Sequence, residues 1–124
     1  MSDKKLILVI DDDPDILESI KMILSAEGYE VSTALSGEDG FKAFSDNKPD
    51  LILCDMMMES IDEGTKVANK IREVDSEIPL YLLSSIGNAT AAQIDTADLG
   101  FNGVFQKPVN PDSLIASVKK VLAD

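Results

Sequence analysis

Three consecutive carboxylates, Asp11-Asp12-Asp13, follow directly on an apolar run, and a fourth, Asp55, closes another. Hydroxyls at Ser84-Ser85 end a third run, and Lys107-Pro108 comes shortly after the apolar pair Val104-Phe105. Like charges a few ångströms apart repel, so carboxylates sharing a pocket must hold a proton or recruit a cation. A donor set of oxygens, in a chain with no histidine and one cysteine, suits a hard ion. Mg²⁺ in particular is held by one or two carboxylates together with waters and phosphate oxygens. A bare phosphate beside Asp11, Asp12 and Asp13 would be repelled unless a metal lay between. Lys107 is the only basic residue between Arg72 and Lys119, which makes its position informative.

These residues can meet only if the elements carrying them run side by side. Leu6–Ile10, Leu51–Cys54 and Leu80–Leu83 are continuously apolar, the pattern of central strands covered on both faces. Residues 29–33 alternate and predict a half-exposed edge strand, and Val104-Phe105 after Gly103 predicts a short fifth strand. Between them lie helical patterns. Ile16, Ile20, Ile23 and Leu24 share a face that Gly28 terminates, and Val67, Ile71 and Val74 share another before Pro79. Leu114, Ile115, Val118, Val121 and Leu122 form the last helix, with Asn110 as N-cap and Pro111 as its first residue; Asp13-Pro14 repeats that start signal. Segments 37–46 and 88–98 are weaker helical patterns. Five strand-helix units without a linker or repeat imply one α/β domain over residues 1–124, with a parallel sheet, right-handed crossovers and helices on both faces. Ligands of such sheets bind at the carboxyl ends of the strands, where the acids, hydroxyls and lysine stand.

Composition narrows the function classes. Lys and Arg number 11 against 23 Asp and Glu, a formal charge of −12 with one arginine, so the chain lacks the basic footprint that nucleic acid requires. Without histidine, Ser-His-Asp and Cys-His catalysis are excluded. No apolar run approaches the roughly 20 residues of a membrane span, no signal-peptide pattern opens the chain, and Cys54 has no internal disulfide partner, which together point to the cytoplasm. Simpler roles apply to several residues taken singly: Asp13 is an N-cap, Cys54 a small core residue, and one or two of Met56, Met57 and Met58 core or adaptable surface.

Asp11-Asp12, Asp55, Ser84 and Lys107-Pro108, each at a strand end, resemble the receiver domain of two-component response regulators. The likeness covers essentially the whole chain, including residues 7–14 and 97–103. It implies a flavodoxin-like (βα)5 fold, doubly wound around a five-stranded parallel sheet of order 2-1-3-4-5. It further implies that Asp55 takes a phosphoryl group from a phosphohistidine on a kinase or phosphotransfer protein. Asp12 would be the chief Mg²⁺ ligand, with Asp11 acting through water and Asp55 and the Met57 carbonyl completing the protein's share. Ser84 would hydrogen-bond a phosphoryl oxygen, and Lys107 would pair with the phosphoryl group, its bond to Pro108 being cis. The implied protein is a signalling protein that assists its own phosphorylation and dephosphorylation. It would be a stand-alone receiver, or else a fragment of a larger regulator, acting on an unknown protein target as a monomer or weak dimer.

Three departures from the family pattern stand out. Met58 is followed by Glu59 where a Met-Pro pair is usual, and the next glycine arrives late, at Gly64. Val104 occupies the position, three before Lys107, that usually carries a switching aromatic ring. Met57 and Ile86 occupy positions that tune hydrolysis, and neither can orient a water, which predicts a long-lived phosphorylated state. Two other readings are an adaptor that takes no phosphate and a small phosphatase of the haloacid dehalogenase type. The latter is matched formally by Asp11 and Asp13 and opposed by Pro14 and the lack of an acidic motif after Lys107.

Overall fold

The computed structural model describes residues 5–55, 69–84, 102–106 and 110–122, with backbone alone at Asp55, Ser84, Val104 and Gln106. In chain order the elements are β1 (Leu6–Ile10), α1 (Pro14–Ala26), β2 (Glu30–Ala34), α2 (Gly37–Asp46), β3 (Leu51–Asp55), helical residues 69–74 (α3), β4 (Leu80–Ser84), β5 (Gly103–Gln106) and α4 (Pro111–Leu122). All strands are parallel and the sheet order is β2-β1-β3-β4-β5. The helix expected over 88–98 lies outside the described residues. No helix among the described residues is long and apolar enough to cross a membrane.

The continuous apolar runs behave as central strands because both faces are covered. Along β1, Leu8 and Ile10 join one core with Ile52, Cys54, Phe44, Ile71 and Leu80, on the side of α2 and α3. Ile7 and Val9 join the other with Leu17, Ile20, Leu24, Leu114 and Val118, on the side of α1 and α4. Each fully buried aliphatic side chain contributes about 1.5–3 kcal/mol. Lys119 of α4 reaches Glu27 at the end of α1 (Nζ to Oε1 2.8 Å), and that hydrogen bond raises the lysine's pKa.

Helix punctuation follows the expected chemistry. Asp13 caps α1, its carboxylate accepting from the Asp15 N–H at 2.9 Å, and Pro14 supplies the first turn, where no N–H is needed. Asn110 caps α4 in the same way through the Ser113 N–H at 3.0 Å. Ser36 caps α2 through the Asp39 N–H at 3.1 Å. At the end of α1 the Gly28 N–H donates to the Ser25 carbonyl (3.0 Å) and the Tyr29 N–H to the Leu24 carbonyl (3.2 Å). This paired pattern requires the left-handed backbone that Gly28 adopts at φ 93°.

Two expectations need correction. Val74 is 64% exposed although Ile71 is fully buried. The helix ends at Val74 itself, and the chain turns away through Asp75, leaving the side chain beyond the core. The edge strand runs one residue later than expected, Glu30–Ala34, because Tyr29 is used to close the helix.

Gly40 marks where α2 crosses β1. A Cβ there would lie 2.7 Å from Cγ1 of Ile10 and also meet its Cδ1. Gly40→Ala should therefore cost about 1–3 kcal/mol in overpacking, offset by about 1 kcal/mol of helix propensity. The expected outcome is a small net loss in urea unfolding followed by circular dichroism, relieved when Ile10→Val is added.

Candidate functional site

The carboxyl ends of the strands are aligned by the sheet register. Ile10 pairs with Cys54, Asp55 with Leu83, Leu83 with Phe105 and Ser84 with Gln106. Continuing the β1–β3 ladder by one residue sets Asp11 beside Asp55, about 5 Å apart between backbones at the usual strand spacing. Ser84 stands on the adjacent strand one residue further along, and Lys107 directly follows Gln106, the last residue of β5. The strands that end at Asp55 and Gln106 are thus two places apart in the sheet, about 10 Å between strand axes. The sheet order changes direction between β1 and β3, so Asp11 and Asp55 flank the switch point where doubly wound sheets bind ligands.

The three acids after β1 have different surroundings. Asp11 is fully buried, and among the described residues no other charged side chain is. Its backbone N–H donates to the Ala34 carbonyl at 3.0 Å, which anchors the residue to β2 beyond the last paired residues. Its Oδ1 accepts from the Asp13 N–H at 2.9 Å, which bends the chain into α1. Asp12 is exposed, and Asp13 is exposed and engaged as the N-cap. Of the three, Asp13 alone caps the helix. One buried and one exposed carboxylate, with Asp55 on the next strand, make an oxygen-only donor set that fits Mg²⁺.

The side chains of Asp55 and Ser84, together with Met57, Ile86, Lys107 and Pro108, lie outside the described residues, as does the loop over 59–64. Among the described residues alone no three acids, cysteines or histidines converge as a metal cage. Val104 pairs in register with Leu82, and Phe105 with Leu83. Phe105 packs against the α1–α4 core with its ring 5.5 Å from that of Tyr81. It therefore serves the face opposite the one that Leu82 serves, as strand alternation requires.

A second cluster, at the amino end of the sheet, was visible in the sequence only as the chain's sole arginine. Arg72 of α3 donates from Nη1 to the Ile78 carbonyl (2.6 Å) and from Nη2 to Oδ1 of Asn102 (2.8 Å). Asp75 accepts from the N–H groups of Glu77 (2.9 Å) and Ile78 (3.1 Å) and pairs with Lys48 (2.6 Å). The Lys48 hydrogen bond, followed by the Glu77 N–H, holds the Asp75 carboxyl below the usual carboxylate range. Burial lowers the pKa of the Arg72 guanidinium, and Asp75 opposes that shift.

This fold has close counterparts. A response regulator receiver domain protein of CheY-like type from Methanospirillum hungatei has a TM-score of 0.81 at 30% identity, covering 94% of this chain and 92% of its own. The chemotaxis protein CheY4 of Vibrio cholerae has a TM-score of 0.85 at 25% identity, covering 96% and 99%. The transcriptional regulatory protein PrrA of Mycobacterium tuberculosis is 32% identical over 116 residues, 94% of this chain and 49% of PrrA. The chain spans about half the length of the curated relatives it matches. The profile of the response regulator receiver domain matches residues 7–119, from the first core strand into the last helix. With that match running through every element that carries the acidic strand ends, the chain belongs to the response regulator receiver domain family, a signalling module of two-component systems.

Proposed function

We propose that this chain is a phosphoacceptor, in which Asp55 takes a phosphoryl group from a phosphohistidine with the help of Mg²⁺. Receiver domains partner with histidine kinases or phosphotransfer proteins and generally bind Mg²⁺ at the phosphorylation site. A carboxylate oxygen of Asp55 forms the new bond to phosphorus while the phosphorus–nitrogen bond of the donor breaks, its electron pair staying on the imidazole. A carboxylate is ordinarily ionised near neutral pH, so such a nucleophile requires no general base and the absence of histidine is no obstacle. Asp12, Asp11 through water, Asp55 and the Met57 carbonyl would hold the metal, which when bound would supply positive charge to offset that of the transferring group. Ser84 donates its hydroxyl to a phosphoryl oxygen, and Lys107 supplies the balancing positive charge.

The observation that carries this reading is the register that sets Asp55 beside a fully buried Asp11 at the switch point of a receiver sheet. The protein acts in the cytoplasm, assists its own phosphorylation and dephosphorylation, and passes the signal by protein contacts. With a formal charge of −12 and one arginine, this chain makes no direct contact with nucleic acid.

The test is a mass measurement after incubation with Mg²⁺ and a small phosphodonor such as acetyl phosphate, with chelator as control. The expected result is a gain of one phosphate, mapped by peptide analysis to the segment holding Asp55. Label on the segment holding Asp11 would mark a phosphatase, and no label in Mg²⁺ would mark an adaptor. Because neither Met57 nor Ile86 can hydrogen-bond a water, the label should persist for many minutes after the donor is removed. Its loss within seconds would show that another group positions the water.

A further inference from the structure

The phosphoacceptor reading needs Lys107 at a defined place, yet β5, which leads to it, has only four residues and pairs with β4 alone. Short edge strands have few ladder hydrogen bonds, so their register is weakly specified by the ladder itself. A slip of one residue would shift β5 by about 3.3 Å along β4 and turn its side chains to the other face of the sheet.

Immediately before β5, Asn102 is held from three directions. Its N–H donates to the Leu80 carbonyl (2.6 Å), its Oδ1 accepts from the Leu80 N–H (2.9 Å), and the same oxygen accepts from Nη2 of Arg72 (2.8 Å). The other arm of the Arg72 fork donates to the Ile78 carbonyl (2.6 Å), two residues before β4 begins. One guanidinium thus bridges the residues that lead into both strands. Gly103 adds a steric check, since a Cβ at that position would lie 2.8 Å from Cε2 of Tyr81, its partner across the ladder. A slip that brought Val104 opposite Tyr81 would meet that ring.

We propose that Arg72 is a positioning residue: by gripping Asn102 it fixes the register of β5 at its amino end and so sets where Lys107 stands at the carboxyl end. The proposal rests on the phosphoacceptor reading for its consequence and on the hydrogen bonds at Asn102 for its mechanism. Lysine cannot replace the fork, because a single ammonium lacks the planar pair of donors that reaches Ile78 and Asn102 together.

The test compares Arg72→Lys, Asn102→Ala and Asn102→Asp, each shown to be folded by circular dichroism. In Arg72→Lys and Asn102→Ala the β5 amides that pair with β4 should exchange with solvent about tenfold faster, while those of β1 and β3 keep their protection. The Cε NMR resonance of Lys107 should shift with them. Asn102→Asp keeps the acceptor oxygen and should behave as wild type in both measurements. Phosphate uptake from a small donor should slow about tenfold in Arg72→Lys, a misplacement effect, and should not slow further when Arg72→Lys is added to Lys107→Ala. Unchanged β5 exchange, an unmoved Lys107 resonance, or an equal slowing on the Lys107→Ala background would overturn the proposal. Should wild type take up no phosphate, the phosphoacceptor reading fails by itself, and the exchange and resonance measurements still decide whether Arg72 positions Lys107.

Discussion

Asp55→Asn is expected to reduce phosphate uptake by more than about 100-fold, at least ~3 kcal/mol of barrier, in a protein that folds and melts no lower than wild type. The substitution keeps the size and shape of the side chain and removes the charge and the nucleophilic oxygen pair, which a carboxamide lacks. The stability expectation follows from register. Asp55 sits beside Asp11, a fully buried carboxylate, at the end of a ladder that pairs Ile10 with Cys54. Two like charges at that spacing repel by an amount on the order of 1 kcal/mol. In metal-free buffer the loss of one charge should therefore raise the melting temperature by a few degrees, about 4 °C per kcal/mol for a chain of this size. Adding Mg²⁺ should stabilise wild type more than Asp55→Asn, since a ligand that binds only the folded state raises stability by mass action. Melting curves with and without Mg²⁺, beside the mass measurement, check all three expectations. Undiminished uptake in Asp55→Asn would move the phosphoacceptor role to another residue.

Much of this molecule is legible in the residues because the decisive signals are local. Continuous apolar runs at β1, β3 and β4 mark strands covered on both faces, and Asp13-Pro14 and Asn110-Pro111 mark helix starts by hydrogen bonds reaching only two or three residues ahead. Once those strands are parallel, the residues at their carboxyl ends gather at one edge of the sheet; that β1 and β3 are neighbours, which sets Asp11 beside Asp55, is implied by the family resemblance and not by periodicity. The features that were not legible depend on contacts distant in sequence. Nothing in the residue pattern around Arg72 points to Asn102, 30 residues away, whose amide oxygen it shares with the Leu80 N–H. The close approach behind Gly40 arises from the packing of α2 on Ile10 and has no local signature. Leu17 is buried while its neighbour Ile16 is only half-buried, a distinction set by how α1 is rotated on the sheet. Val74 fails for a related reason: helical spacing predicts a face but not the residue at which the helix stops covering the core.

Phe44→Ala should act in the opposite sense to Asp55→Asn, lowering stability by about 3–5 kcal/mol while leaving the strand-end chemistry in place. Phe44 is 2% exposed and is the largest fully buried side chain of the face shared by Leu8, Ile10, Ile52 and Leu80. Its ring lies 5.9 Å from that of Phe41 at an interplanar angle of 32°, and Nζ of Lys70 stands 5.7 Å from the Phe41 centroid, so truncation leaves a cavity under α2 and removes a ring contact. The sheet cannot close that cavity without moving β1, which is paired on both sides by β2 and β3. Out of the roughly 5–15 kcal/mol available to a domain, the loss is large enough to lower the melting temperature by about 15 °C. The chain has no tryptophan, so urea unfolding is followed by circular dichroism; the midpoint should fall with the slope unchanged, because the surface exposed on unfolding is nearly the same. Well below its melting temperature, Phe44→Ala should still take up phosphate at close to the wild-type rate, since the cavity lies beneath α2 and the acids stand at the strand ends. A severe loss of uptake at a temperature where the protein is folded would mean that α2 also positions the site through β1, most directly through Ile10, the residue before Asp11 that Gly40 touches.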